Sequence, residues 1–208
     1  MSQQLFVAVE LTEEVIEALT LLQSALRAWP GAERVRWVDP RATHLTLKFL
    51  GETEEKLLPE IEAALSDSCQ QFEPVALHLA GVGAFPNARR PRVLWVGLNA
   101  DQSLATLQAQ IERSLARLGF PIEERAFSPH LTLGRVREGC RSEAALGLER
   151  MLAGAPPVPA VEFIATQVSL MRSVLGPAGA VYTRLFAAPL CRLDAAGGHA
   201  RPPSGGEG

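Results

Sequence analysis

Cysteine is scarce in this 208-residue chain: Cys69, Cys140 and Cys191 are the three present. They are odd in number, far apart and without metal-type spacing. That argues against a disulfide framework and predicts reduced thiols in a cytoplasmic protein. Histidine is also sparse, with four residues, and none sits among clustered cysteines or carboxylates. A zinc or two-metal centre is therefore not expected, and no cofactor is implied. An excess of positive charge is missing as well: 20 Lys and Arg stand against 23 Asp and Glu, a formal charge of −3. Gripping a duplex takes several phosphate-neutralising cations on one face. A nucleic-acid partner is accordingly expected to be held at one end rather than along its length. Long apolar stretches are lacking too. From Met1 to Val15 charges appear early, without a basic leader and apolar core, so neither a signal peptide nor a membrane span is expected.

What is present is 47% hydrophobic residues, enough to build a real core. Leu5 to Leu11 reads as a strand, and Thr12 as the N-cap of a helix carrying Val15, Ile16, Leu19, Leu22 and Leu26 on one side. Arg34 to Val38 is a short strand, and Thr43 to Leu50 a longer one stopped by Gly51. A second helix carries Leu57, Leu58, Ile61 and Leu65. Val75 to Val82 and Val93 to Leu98 read as strands around a basic, turn-rich loop from Gly83 to Arg92. The third helix has Leu104, Leu107, Ile111, Leu115 and Leu118 on one face and ends at Gly119. Ser128 to Val136 is another strand, followed by a weaker helix from Ser142 to Leu152. Val161 to Leu170 and Val181 to Phe186 are strands joined through Gly176-Pro177-Ala178-Gly179. Interspersed elements with short turns predict an α+β fold with antiparallel sheets. Residues 1–194 read as one domain, and 195–208, rich in Gly, Pro and Ala, as a disordered tail containing His199.

One unit occurs twice: His44-Leu45-Thr46-Leu47 and His130-Leu131-Thr132-Leu133. On a strand, alternation puts each histidine with its threonine on one face, roughly 7 Å apart along the chain, and the leucines on the other. A pseudo-symmetric pair of such strands can hold a phosphate among four polar side chains. Opening a cyclic phosphodiester with water needs a base on the nucleophile and an acid on the leaving oxygen. Imidazole, with an ordinary pKa of roughly 6.5, suits either role. Hydroxyls can hold the non-bridging oxygens. Leucine-rich strand forming alone accounts for Leu-Thr-Leu, but not for a histidine on the non-leucine face both times. The spacing does not say which histidine is acid and which is base.

The chain resembles the 2H phosphoesterases, named for two His-x-Thr-x motifs, and within them the RNA 2′,3′-cyclic phosphodiesterases also called 2′-5′ RNA ligases. The resemblance runs from about residue 4 to residue 187. Its landmarks are Leu5 to Val9, Arg36-Trp37-Val38, His44 to Gly51, Phe127 to Arg135 and Ser169 to Leu175. It implies a bilobal α+β fold with two antiparallel sheets facing a central cleft, helices outside and a pseudo-twofold repeat. It also implies hydrolysis of 2′,3′-cyclic phosphate ends to 2′-phosphomonoesters without metal. His44 would then be the proton donor, His130 the proton acceptor, and Thr46 and Thr132 the substrate-binding residues. The expected partners are RNA ends or small nucleotides carrying a 2′,3′-cyclic phosphate; no membrane is expected, and the protein is expected to be a monomer. Two other functions fit the same residues: 2′-5′ RNA end-joining by the reverse reaction, and a non-catalytic nucleotide-binding module.

Other residues stay outside the site on parity grounds. Lys48 shares parity with His44, which leaves it either adding positive potential or solvated. Arg135 has the opposite parity from His130 and needs a bulge or strand end to reach the cleft. Phe49 and Trp37 are candidates for stacking a base, although parity puts Phe49 with the buried leucines. Arg89, Arg90 and Arg92 either steer an RNA end or decorate a soluble loop. His78 reads as a surface or rim residue.

Overall fold

A computed structural model describes residues 2–137, 142–176 and 179–191. Cys140, Pro177, Ala178, His199 and the 195–208 tail lie outside the described residues. Strand β1 (Ser2–Glu10) leads into α1 (Glu13–Arg27), with Thr12 at its N-cap and Glu13 and Glu14 in its first turn, where carboxylates favour the helix dipole. Next come β2 (Val35–Trp37), β3 (His44–Glu54) and α2 (Leu58–Cys69). The hairpin strands β4 (Val75–Phe85) and β5 (Val93–Ala100) follow. Then come α3 (Gln102–Ala116), capped by Asp101, whose side chain accepts from Ser103 N, and β6 (His130–Val136). The chain continues with α4 (Ser142–Ala153), β7 (Glu162–Ala165), β8 (Gln167–Gly176) and β9 (Gly179–Pro189).

The strands form one sheet in the order β7-β4-β5-β6-β3-β1-β8-β9, with β2 also on β6. Every pairing is antiparallel, in keeping with the α+β class. Two separate sheets are not what forms among the described residues. The two motif strands are neighbours, paired only at Leu45↔Leu131, and that pair joins the halves into one sheet. Beyond it, β2 takes over the same edge of β6, pairing Trp37 with Gly134 and Val35 with Val136. The segment read as a single strand from Val161 to Leu170 is two. It divides at Thr166, with β7 on β4 and β8 between β1 and β9, so the chain passes from one end of the sheet to the other half.

The helices cover one face. Leu19, Leu22 and Leu26 of α1, Ile61 and Leu65 of α2, Leu107, Ile111 and Leu115 of α3 and Leu148 of α4 join Leu45, Leu47, Leu131 and Leu133 in one core. On the opposite face a small second cluster forms from Phe6, Ala8 and Met171, with Tyr182 packed against it.

Simple alternation fails at the same place in each motif strand, and in β3 a second time at Leu50, which is skipped between Phe6↔Phe49 and Leu5↔Gly51. Ala8 faces Thr46 but Val7 faces Lys48, so Leu47 is an extra residue, a β-bulge. Trp95 faces Thr132 but Leu94 faces Gly134, which makes Leu133 the equivalent bulge. Each bulge keeps one additional residue on the core side and returns the following one to the other face. Lys48 is consequently 4% exposed, neither solvated nor beside His44. It pairs with the buried Glu112 of α3 and donates to Pro121 O at 2.7 Å. At the matching place in β6 a Cβ on Gly134 would lie 2.5 Å from Val35 Cγ1. There β2 leaves no room, whereas at Lys48 a helix supplies a counter-charge.

Removing one partner of a buried ion pair strands the other. Lys48→Met is expected to cost about 3–5 kcal/mol of unfolding free energy in urea, and adding Glu112→Met to restore most of it. A single-variant loss below about 1 kcal/mol, the scale of an exposed pair, would overturn this picture.

Candidate active site

Counting outward from Leu45↔Leu131 sets His44 across from Thr132 and Thr46 across from His130. Thr43 Oγ1 also donates to Thr132 O, at 3.4 Å. Since Leu45 and Leu131 are both fully buried in the helix-side core, these four side chains project from the opposite face. Partners across the ladder agree: His44 faces Glu10, Thr46 faces Ala8, Thr132 faces Trp95 and His130 faces Gly97. The structure therefore brings the two histidines and two threonines onto one face of two adjacent strands.

Each imidazole is held the same way. His44 Nδ1 bonds Ala42 O at 3.1 Å, and His130 Nδ1 bonds Ser128 O at 2.7 Å. A carbonyl oxygen only accepts, so Nδ1 carries the hydrogen in both rings and Nε2 is left free. Both anchors are carbonyls two residues upstream, in the approach to the strand. Aromatic rings complete the walls. Phe6 stacks on His44 at 4.6 Å, and Tyr182 meets it edge-on at 4.9 Å. Phe85 meets His130 edge-on at 4.9 Å, with Trp95 at 6.5 Å.

Burial under these rings pushes the His44 pKa below its ordinary value. The bond to Ala42 O and the negative charge of Glu10 oppose that shift without cancelling it. Glu10 is itself held in place, accepting from Ser169 Oγ at 2.6 Å and from Arg184 at 2.9 Å. No sequence signal pointed to Glu10 beyond its position at the polar end of β1. The walls Phe6, Tyr182, Phe85 and Trp95 were equally silent, because each lies on a different strand from the histidine it touches.

The bulges decide the remaining candidates. Phe49 faces Phe6, with ring centroids 6.3 Å apart, and is 71% exposed; it lies on the histidine face, not with the leucines. Arg135, five residues past His130 as Phe49 is past His44, has the bulge it required and is exposed beside Val93 and Arg36. Trp37 is on the core side, donating to Ala32 O with Arg27 over its ring, which removes it as a base platform. His78 is exposed, 3.9 Å from Glu162, a rim position as its parity indicated. Arg89, Arg90 and Arg92 are exposed, Arg89 lying 3.8 Å from Glu149. Cys69 and Cys191 are free thiols, and burial pushes Cys69 up to about 12. Among the described residues no group of three or more His, Cys, Asp or Glu is arranged to hold a metal ion, and no helix is long and apolar enough to cross a membrane.

Known proteins resemble this chain in sequence and in fold. The family model of the 2′-5′ RNA ligase superfamily matches residues 13–177. The chain is 34% identical over 183 residues to the RNA 2′,3′-cyclic phosphodiesterase of Methanothermobacter thermautotrophicus, covering 88% of this chain and 96% of that protein. It is 30% identical over 182 residues to the protein of the same name from Thermotoga maritima, covering 87% and 92%. Among solved structures, TT0787 of Thermus thermophilus superposes with a TM-score of 0.73 at 32% identity, covering 91% of this chain and 98% of that one. E. coli LigT complexed with 3′-AMP gives 0.74 at 26% identity, covering 91% and 99%. The chain belongs to the 2′-5′ RNA ligase superfamily.

A lowered native pKa makes protonation of His44 oppose folding. Its contribution to stability is fully present above the ordinary histidine range and is lost as pH falls through the lowered value. An NMR titration is expected to place the His44 ring below the ordinary histidine value. In Glu10→Gln, which removes a charge favouring the protonated ring, it should fall further; an upward move would show that Glu10 does not act on His44.

Proposed function

We propose that this protein hydrolyses 2′,3′-cyclic phosphates, at RNA ends or on small nucleotides, to 2′-phosphomonoesters by metal-independent acid–base catalysis. The observation that carries the reading is the pair of Nδ1-anchored imidazoles, each leaving Nε2 free on one sheet face beside two threonines. In this mechanism His130 Nε2 takes a proton from water as its oxygen bonds to phosphorus. The bond from phosphorus to the ribose 3′ oxygen breaks on the opposite side, and that oxygen takes the proton carried on His44 Nε2. Thr46 and Thr132 donate to the non-bridging oxygens, whose charge persists through the transition state. His130 ends protonated and His44 neutral, and exchange with water resets both.

The environment of His44 suits a donor that must be charged by its substrate. Desolvation disfavours the charged ring in the free protein, and an anionic phosphate arriving beside it favours the protonated form. Phe49 and Arg135 extend the same face with a π surface and a cation, groups that suit a nucleotide base and its phosphate. The names of the relatives, RNA 2′,3′-cyclic phosphodiesterase, and the 3′-AMP complex of LigT support the same substrate class. The reading extends to a bilobal, pseudo-twofold arrangement of the two motif-bearing halves, for which the matched bulges speak. It further takes residues 1–194 as one domain, 195–208 as a tail without a catalytic part, and the protein as a cytoplasmic monomer.

His44→Ala and His130→Ala are each expected to lower kcat on 2′,3′-cyclic AMP by about 10²–10⁴-fold while retaining wild-type unfolding curves. Wild-type activity in EDTA should be complete, with 2′-AMP as the product seen by chromatography. Turnover of either variant at the wild-type rate, or 3′-AMP as product, would refute the assignment. With His44 as donor, kcat/KM falls as pH rises through its lowered pKa. Glu10→Gln should move that falling limb to lower pH; movement of the rising limb instead would exchange the two roles.

A further inference from the structure

Both bulged leucines turn a carbonyl toward the helical layer, and both carbonyls meet a glutamine. Gln108 of α3 donates to Leu47 O at 3.2 Å, and Gln23 of α1 donates to Leu133 O at 3.1 Å. Gln23, 3% exposed, also donates to Val38 O at 2.8 Å. Leu133 O takes a second bond from Val38 N at 2.9 Å. Gln108 is braced within α3, donating to Glu112 Oε1 at 3.2 Å, while the other Glu112 oxygen receives Lys48. A bulge interrupts the ladder, and an unpaired carbonyl beneath a helix layer is costly. Gln108 provides a donor to Leu47 O, and Gln23 adds a second donor to Leu133 O beside the Val38 N–H.

The arrangement is crossed. The helix ahead of the first motif holds the bulge of the second, and the helix ahead of the second holds the bulge of the first. The two glutamines also stand in the same local pattern: Leu19, Leu22, Gln23, Leu26 in α1 and Leu104, Leu107, Gln108, Ile111 in α3. In each helix the position four residues after the first leucine belongs to the apolar stripe, and in each it is glutamine instead. Two amides at matching stripe positions, Gln23 buried and Gln108 half-buried, meeting matching carbonyls, mark one device used twice.

We propose that Gln23 and Gln108 are a crossed pair of positioning residues that lock the Leu133 and Leu47 bulges, and so keep Arg135 and Phe49 on the cleft face. Without the extra residue, strict alternation returns both to the helix side and turns Lys48 out toward the histidines. The imidazoles are anchored separately, upstream of the bulges, by Ala42 O and Ser128 O. Loss of either glutamine therefore weakens the hold on substrate while leaving the acid–base pair in place. This inference rests on the cyclic-phosphate reading for its kinetic effect, but not for its structural one.

The test uses the full chain with Gln23→Met and Gln108→Met, which keep side-chain volume and remove the donor. Gln108→Ala serves as a further variant if Gln108→Met does not fold. KM for 2′,3′-cyclic AMP is expected to rise about tenfold, with kcat within about threefold of wild type and the pH profile unmoved. Hydrogen exchange followed by mass spectrometry should quicken in β3 for the Gln108 variants and in β6 for Gln23→Met, each opposite in sequence to the mutated helix. Unchanged KM, a fall confined to kcat, or exchange that quickens only around the mutated helix would overturn the proposal. A wild-type protein inert toward the cyclic nucleotide would defeat the functional reading instead, and the exchange pattern would still decide whether the glutamines lock the bulges.

Discussion

The pairing of Leu45 with Leu131 is the contact on which the arrangement depends. It is the junction between the two motif strands, and both leucines are fully buried against the helices. Side chains alternate along a strand, so committing these two to the core commits the histidine before and the threonine after each of them to the opposite face. A slip of one residue in either strand would exchange the sets, burying an imidazole and a hydroxyl and exposing leucines. The hydrophobic effect thus does the aiming: the polar groups stand on one surface because their neighbours cannot leave the other.

The bulges add a second level of control. An unbroken period of two would give each half only its histidine and threonine on the site face before returning a lysine or a glycine there. One extra residue directly after the threonine of each motif instead brings round Phe49 and Arg135. The helix-side consequences differ because the layers above differ. Lys48 finds Glu112 and the Pro121 carbonyl, whereas Gly134 lies under Val35 and admits no side chain without a clash. The same backbone device thus yields an aromatic edge on one side of the site and a cationic edge on the other.

Much of the element order was legible in the sequence. The apolar stripes of α1, α2 and α3, the apolar run of β1 and the first alternating residues of β3 and β6 fall where the hydrophobic period puts them, although β3 continues through Gly51 to Glu54 rather than stopping there. Parity along His44-Leu45-Thr46 and His130-Leu131-Thr132 also gave the correct faces. It failed one step later, at Lys48 and Phe49, because a bulge is a property of two strands together. The run of Leu47, Lys48, Phe49 and Leu50 contains neither glycine nor proline to betray it. The division at Thr166 escaped for a similar reason: each half of the apolar run is a good strand, and only their different partners separate them.

The chain alone determined which groups are on offer: two histidines each two residues before a threonine, with leucines between, and no clustered metal ligands around them. That is local information, set by residue type and by a period of two. Tertiary structure decided that the motif strands are adjacent, that Glu10, Phe6 and Tyr182 set the His44 environment, and that two glutamines meet the bulged leucines from distant helices. Those contacts join residues far apart in sequence, through strand pairing and helix packing that no local pattern encodes.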